Sequence, residues 1–223
     1  MIEVTYVDHM GSDLSVVNAA RVSFGKKSDW LPRVHNGEQL VLTPKDAKLI
    51  SYLAKHQHKS PFNHAFATFH IKAPIFVARQ LQKHEYMPWN EISRRYVDSE
   101  PEFYQPNVWR GRSEDKKQGS DGVVDVSYKS ISALAKHEMW CIKTYKQLLE
   151  DGIAPEQARM VLPQSMMTEW YWSGSVHAFA KMCGLRLKPD AQYETRLVAE
   201  QIEDKMTELF PESWTALRAY DDT

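Results

Sequence analysis

Hydrophobic and polar residues alternate at a period of two from Ile2 to Val7, I-E-V-T-Y-V, until Gly11-Ser12-Asp13 interrupts the pattern. Period two sets one face of a strand against a core, and the helical spacing that follows from Leu14 to Val22 predicts a helix. A loop rich in Gly, Lys and Pro leads to Thr43-Pro44, a helix start with threonine as N-cap and proline in the first turn. Ala47, Ile50, Leu53 and Ala54 recur at helical spacing behind it, so this helix should end near His56. Alternation returns from His64 to Lys72, with Ala65, Ala67, Phe69 and Ile71 on one side and His64, Phe66, Thr68 and His70 on the other.

Pro74 opens a further helix through Arg79, and Gln80, Lys83 and His84 fall at i, i+3 and i+4, which places them on one face. Pro88 disfavours helix at Met87 and predicts a break there. Mixed charge and glycine from Trp109 to Gly122 predict an exposed, mobile loop. Beyond it the pattern predicts a long helix from Asp125 to Glu150 stopped by Gly152, and a short one from Pro155 to Leu162. An aromatic strand from Met166 to Ser173 and an amphipathic helix from Asp190 to Phe210 follow. Early strands, a late strand and several long helices predict an α+β fold with a mixed or antiparallel sheet, in one domain over residues 1–223.

Composition narrows the functional classes. A formal net charge of -1 argues against a surface that coats a nucleic-acid polymer or a basic face that binds a membrane, yet leaves room for local positive pockets. A small anionic ligand suits such a chain better. Cys141 and Cys183 lack any C-x-x-C pairing, which suggests neither a disulfide framework nor a zinc ribbon and makes reduced cytoplasm the expected setting. Met1 to Tyr6 does not read as a signal peptide, and no apolar run approaches the roughly 18 residues of a spanning helix.

Candidate chemistry concentrates between Arg79 and Val97, R-Q-L-Q-K-H-E-Y-M-P-W-N-E-I-S-R-R-Y-V, a stretch too charged for a core helix. No G-x-G-x-x-G or G-x-x-x-x-G-K-[ST] occurs, so any phosphate must be held by side chains. Arginine suits that task because its planar fork matches two phosphate oxygens; Arg79, Arg94, Arg95, Arg159 and Arg186 are candidates. The same side chains could pair with surface glutamates. His56, His58, His64, His70 and His84 cluster in one third of the chain, but their spacing matches no recognised metal site. His64 and His70 fit the polar face of a strand, whereas His58 precedes Ser60-Pro61-Phe62 in a loop, where function concentrates. Ser93 lacks a nucleophile elbow, and neither cysteine sits in a visible Cys/His motif. Trp170, Tyr171 and Trp172 could stack on a flat ligand or fill a core.

In order, the chain carries H-K-S-P-F (58–62), A-P-I-F-V-A-R-Q (73–80), K-H-E-Y-M-P-W-N-E-I-S-R-R-Y (83–96), E-F-Y (102–104), A-R-M-V-L-P (158–163) and Leu185-Arg186. Together with V-N-A-A-R-V-S (17–23) these motifs resemble the flavin-dependent thymidylate synthases over most of the chain. The resemblance implies a homotetramer with active sites where subunits meet, FAD as prosthetic group, NADPH as reductant, methylenetetrahydrofolate as carbon donor and dUMP as substrate. It implies nucleotide contacts at Gln80, Lys83, Glu91, Ile92, Ser93, Arg94, Arg95 and Arg159, with Arg186 activating the uracil. It places His58, Ser60, Lys83, His84, Glu85, Glu91, Ser175 and Lys181 on the flavin side. No metal is implied.

The chain departs from the family's signature, R-H-R followed seven residues later by S: here Lys83-His84-Glu85 keeps only the histidine, with the distal Ser93. Pro88 replaces a serine, Ser175 and Lys181 replace asparagines, and Asp190 replaces a histidine. The nucleotide half of the motif is intact and the cofactor half is altered. That leaves two alternatives beside dTMP synthesis: dUMP hydroxymethylation on the same scaffold, or nucleotide binding without catalysis.

Overall fold

A computed structural model describes residues 1–31, 41–114 and 119–220. The loop expected before Thr43 therefore falls partly outside the described residues. In chain order the elements begin with β1 (Glu3–Met10), α1 (Asp13–Arg21), α2 (Pro44–Lys55), β2 (Phe66–Pro74) and α3 (Ile75–Leu81). Next come β3 (Trp89–Glu91), β4 (Arg110–Arg112), β5 (Ser120–Val123), α4 (Tyr128–Glu150) and α5 (Pro155–Ala158). The last are β6 (Met167–Ser175), α6 (Val176–Arg186), α7 (Tyr193–Leu209) and α8 (Pro211–Ala219).

Four strands make an antiparallel sheet in the order β1-β2-β6-β3. Alternation in β2 turns Ala67, Phe69 and Ile71 inward, and their partners in β6, Gly174, Trp172 and Trp170, share that face. Helices cover it: Phe179 and Met182 of α6, Val198 and Ile202 of α7, and Trp214 of α8 join the tryptophans in one core cluster. The aromatic run of β6 is thus core at Trp170 and Trp172, while Tyr171 points outward and is half exposed. This is the expected α+β architecture, with its sheet wholly antiparallel among the described residues.

Local chemistry explains the helix starts. The Thr43 hydroxyl accepts from the Asp46 amide at 3.1 Å, and Asp46 itself gathers Arg21 Nε at 3.0 Å, Ser28 Oγ at 2.9 Å and Thr43 Oγ1 at 2.8 Å. Burial alone would raise that carboxyl, but these donors outweigh it and hold Asp46 below the ordinary carboxylate value. Asp13 caps a helix remote in sequence: its two oxygens accept from the Ser213 and Glu212 amides of α8, each at 2.9 Å.

Two expectations need correction. Trp109 to Gly122 is not all loop, because β4 and β5 pair as an antiparallel ribbon at its two ends. Lys83 and His84 do not share a helical face with Gln80, because α3 stops at Leu81 and the His84 amide closes a turn onto the Leu81 carbonyl at 3.1 Å. Two residues on, Tyr86 has φ of 59°, a left-handed conformation rare outside glycine.

Candidate active site

Two groupings of the sequence-derived residues emerge, and they begin at adjacent positions on α3. Arg79 lines a cleft of about 450 Å³ with Glu91, Ile92, Arg94, Arg159 and Thr168. Gln80 faces α7 instead: its side-chain amide donates to Gln192, and its oxygen accepts from Thr195 Oγ1 at 3.4 Å.

The cleft is built by β3 and the turn after it. Pairing of Trp89 and Glu91 with Trp172 and Trp170 carries the chain to the sheet edge, where the Ile92 amide donates to the Glu169 carbonyl at 2.9 Å. Glu91 is fixed there by Thr168 Oγ1 at 2.7 Å and Trp89 Nε1 at 3.1 Å. Ser93 then starts a tight turn: its carbonyl takes the Tyr96 and Val97 amides at 3.0 Å, and its hydroxyl accepts from the Arg95 amide at 3.2 Å. Arg94 bonds the Ser99 carbonyl, and Arg159 donates to the Glu156 carbonyl at 3.2 Å, both still lining the cleft. Arg95 is exposed, 5.4 Å over the Tyr96 ring and 3.7 Å from Glu156. Arg79, Arg94 and Arg159 form no salt bridge among the described residues, so their charge remains available to an anion.

The second grouping centres on Arg186, the last residue of α6. Its Nε donates to His84 Nε2 at 3.1 Å and its Nη2 to the Gln80 carbonyl at 3.1 Å. Burial lowers the guanidinium from its ordinary value, though an arginine at neutral pH keeps its proton. Burial, then the charges of Arg186 and Lys181, push His84 down to about 4, so the imidazole is neutral and free to accept. Lys83 and Glu85 are exposed on the same turn, and only His84 of the three points inward.

His58 and Lys181 meet at a smaller depression of about 200 Å³, with Gln57, Lys59, His177 and Tyr220 around an apolar floor of Leu53, Phe62 and Ala180. Ser60 is exposed at the start of the 3-10 turn Ser60–His64. Ser175 is buried and caps α6: it donates to Asn63 Oδ1 at 2.7 Å and accepts the Ala178 amide at 3.1 Å. Lysines and imidazoles around an apolar floor suit a flat ring with an anionic tail, but the volume takes only part of a dinucleotide. Thr168, Gln192 and Thr195 were not singled out by sequence. They reach the site only through β6 pairing and the α3–α7 contact, neither of which leaves a local signal.

An antiparallel sheet backed by helices, with an arginine-lined cleft at its edge and a half-buried guanidinium beside it, defines an α+β protein whose cleft side chains suit an anionic ligand. Residues 5–212 match the family model described as thymidylate synthase complementing protein. A flavin-dependent thymidylate synthase from Thermus thermophilus is 41% identical, covering 97% of this chain and 76% of that protein. Another from Thermosipho africanus is 39% identical, covering 94% and 86%. The crystal structure of a UMP/dUMP methylase, PolB, from Streptomyces cacaoi bound with 5-Br dUMP superposes with a TM-score of 0.82 at 33% identity, covering 99% of this chain and 96% of that one. The chain belongs to the flavin-dependent thymidylate synthase family.

Proposed function

We propose that this protein converts dUMP to dTMP, with methylenetetrahydrofolate as carbon donor and NADPH-reduced FAD as hydride source. The observation that carries this reading is the pairing of an arginine-lined cleft with a half-buried, carboxylate-free Arg186 in a chain of this family. Arg79, Arg94, Arg95 and Arg159 hold the phosphate, with Ser93 and the Glu91–Ile92 segment framing the nucleotide. Gln80 and Arg186 take the base. A fixed cation beside N3 and a carbonyl oxygen of uracil stabilises the negative charge that spreads over the ring as C5 becomes nucleophilic, so no cysteine nucleophile is needed. Bound flavin supplies the hydride that completes the methyl group. Lys181, His58, His84 and Ser60 flank that cofactor, with Lys83 and Glu85 at its rim.

On one chain the arginine cleft and the Arg186 group share no hydrogen bond, and the flavin-side depression is too small for the whole cofactor. Both facts support a homotetramer in which neighbouring copies complete each site. The test is product analysis: purified protein with dUMP, methylenetetrahydrofolate, FAD and NADPH should yield dTMP by mass. A product one oxygen heavier would establish hydroxymethylation instead. Colourless protein that binds dUMP and forms no product would leave a non-catalytic nucleotide binder.

A further inference from the structure

We infer that His84 is a positioning residue for Arg186, holding the guanidinium in place without cancelling its charge. The inference rests on the proposed dUMP reaction and assigns within it a role to the one residue of Lys83-His84-Glu85 that points inward.

A half-buried arginine is ordinarily met by a carboxylate, since a partly desolvated cation needs compensation. Arg186 forms no salt bridge among the described residues. It is held instead by two neutral acceptors, His84 Nε2 and the Gln80 carbonyl, each at 3.1 Å. Those bonds use Nε and Nη2 on one side of the planar fork and fix its rotation, leaving the Nη1 edge to a ligand. A carboxylate in the same place would make a stronger hydrogen bond, but it would also neutralise the charge that the uracil must feel.

The turn after α3 is shaped for this task. Closing onto the Leu81 carbonyl returns the imidazole toward α6, with its ring 6.3 Å from that of Trp172. Nε2 can accept only if the ring is unprotonated there, which puts the remaining proton on Nδ1. Lys181, five residues before Arg186 on the same helix, adds a second cation near the ring and disfavours the imidazolium. It stands where the family has an asparagine, so the lysine reinforces the neutral state in this chain. Since Nε2 is committed to Arg186, only Nδ1 remains for any contact with flavin.

The hydrogen bond and the charge can be separated by substitution. His84→Gln keeps a neutral oxygen acceptor, whereas His84→Glu keeps an acceptor of the same reach and adds a negative charge. With folding checked by circular dichroism, His84→Gln should retain kcat to within about tenfold, and His84→Glu should lower it by about 100-fold or more, the scale of losing one charge-stabilising donor. Flavin uptake, read from visible absorbance, should be the same in both. A merely structural role would make the two variants equally active, and so would a role confined to flavin contact, which would also weaken uptake in both; equal activity of the two variants overturns the inference. If the wild-type protein itself makes no dTMP, the functional reading falls and this role falls with it. The two failures are told apart by wild-type activity alone.

Discussion

Arg79 and Gln80 are consecutive residues that serve different places: the arginine lines the cleft with Arg94 and Arg159, while the glutamine amide bonds Gln192 and its backbone carbonyl accepts from Arg186. A helix turns about 100° per residue, so one short helix can furnish both places.

Arg186→Ala should abolish measurable turnover, with kcat lower by roughly 100- to 1,000-fold. Its side chain lies outside the hydrophobic cluster, so the fold should survive. Steady-state kinetics and a thermal melt check both halves; near-wild-type turnover would refute the role assigned to Arg186.

Arg95→Ala should act on affinity. The guanidinium is exposed, and its nearest carboxylate, on Glu156, is 3.7 Å away and itself exposed, so its loss costs the fold little. Calorimetric titration with dUMP should show binding weakened by about tenfold. Unchanged affinity would mean that Arg95 is structural.

Acid should destabilise the fold through His84. The unfolded chain takes up the histidine proton near 6.5, the folded chain only near about 4. Between those values the unfolded state binds more protons, so stability is full above 6.5 and falls as pH drops toward 4. Urea melts across that window should show the slope, and His84→Gln should flatten it.

Asp13→Ala should loosen α8. Phe210 offers no side-chain cap, so the carboxylate from α1 alone meets the Glu212 and Ser213 amides among the described residues. Losing such a cap costs about 1–2 kcal/mol. Denaturant unfolding measures it, and Asp13→Asn should recover part of the loss.

Strands β1, β2 and β6 were legible, and in β2 burial follows period two, with Ala67, Phe69 and Ile71 facing the core as their spacing required; β3, β4 and β5 are too short to set a period. The helix at 176–186 was not, because V-H-A-F-A-K-M-C-G-L-R is apolar on nearly every side and carries no stripe to read. The helix at 211–219 was hidden by Pro211, which ends one helix and begins another. At the site, N-E-I-S-R-R-Y announced its arginines through type and clustering. The turn that separates His84 from Lys83 and Glu85 follows an early end of α3 at Leu81, and the left-handed Tyr86 just beyond it is a conformation that no propensity favours.

Trp89 lies parallel to Trp170, 4.4 Å between ring centroids at 17°, with Trp172 edge-on to Trp89 at 5.7 Å. Indoles this close share their excited states, so docking of β3 is written into the near-ultraviolet circular dichroism of the protein. Glu91, Ile92 and the arginine turn hang directly from that strand. The protein thereby carries its own optical gauge of whether the segment proposed to hold the nucleotide is seated, readable without label or ligand.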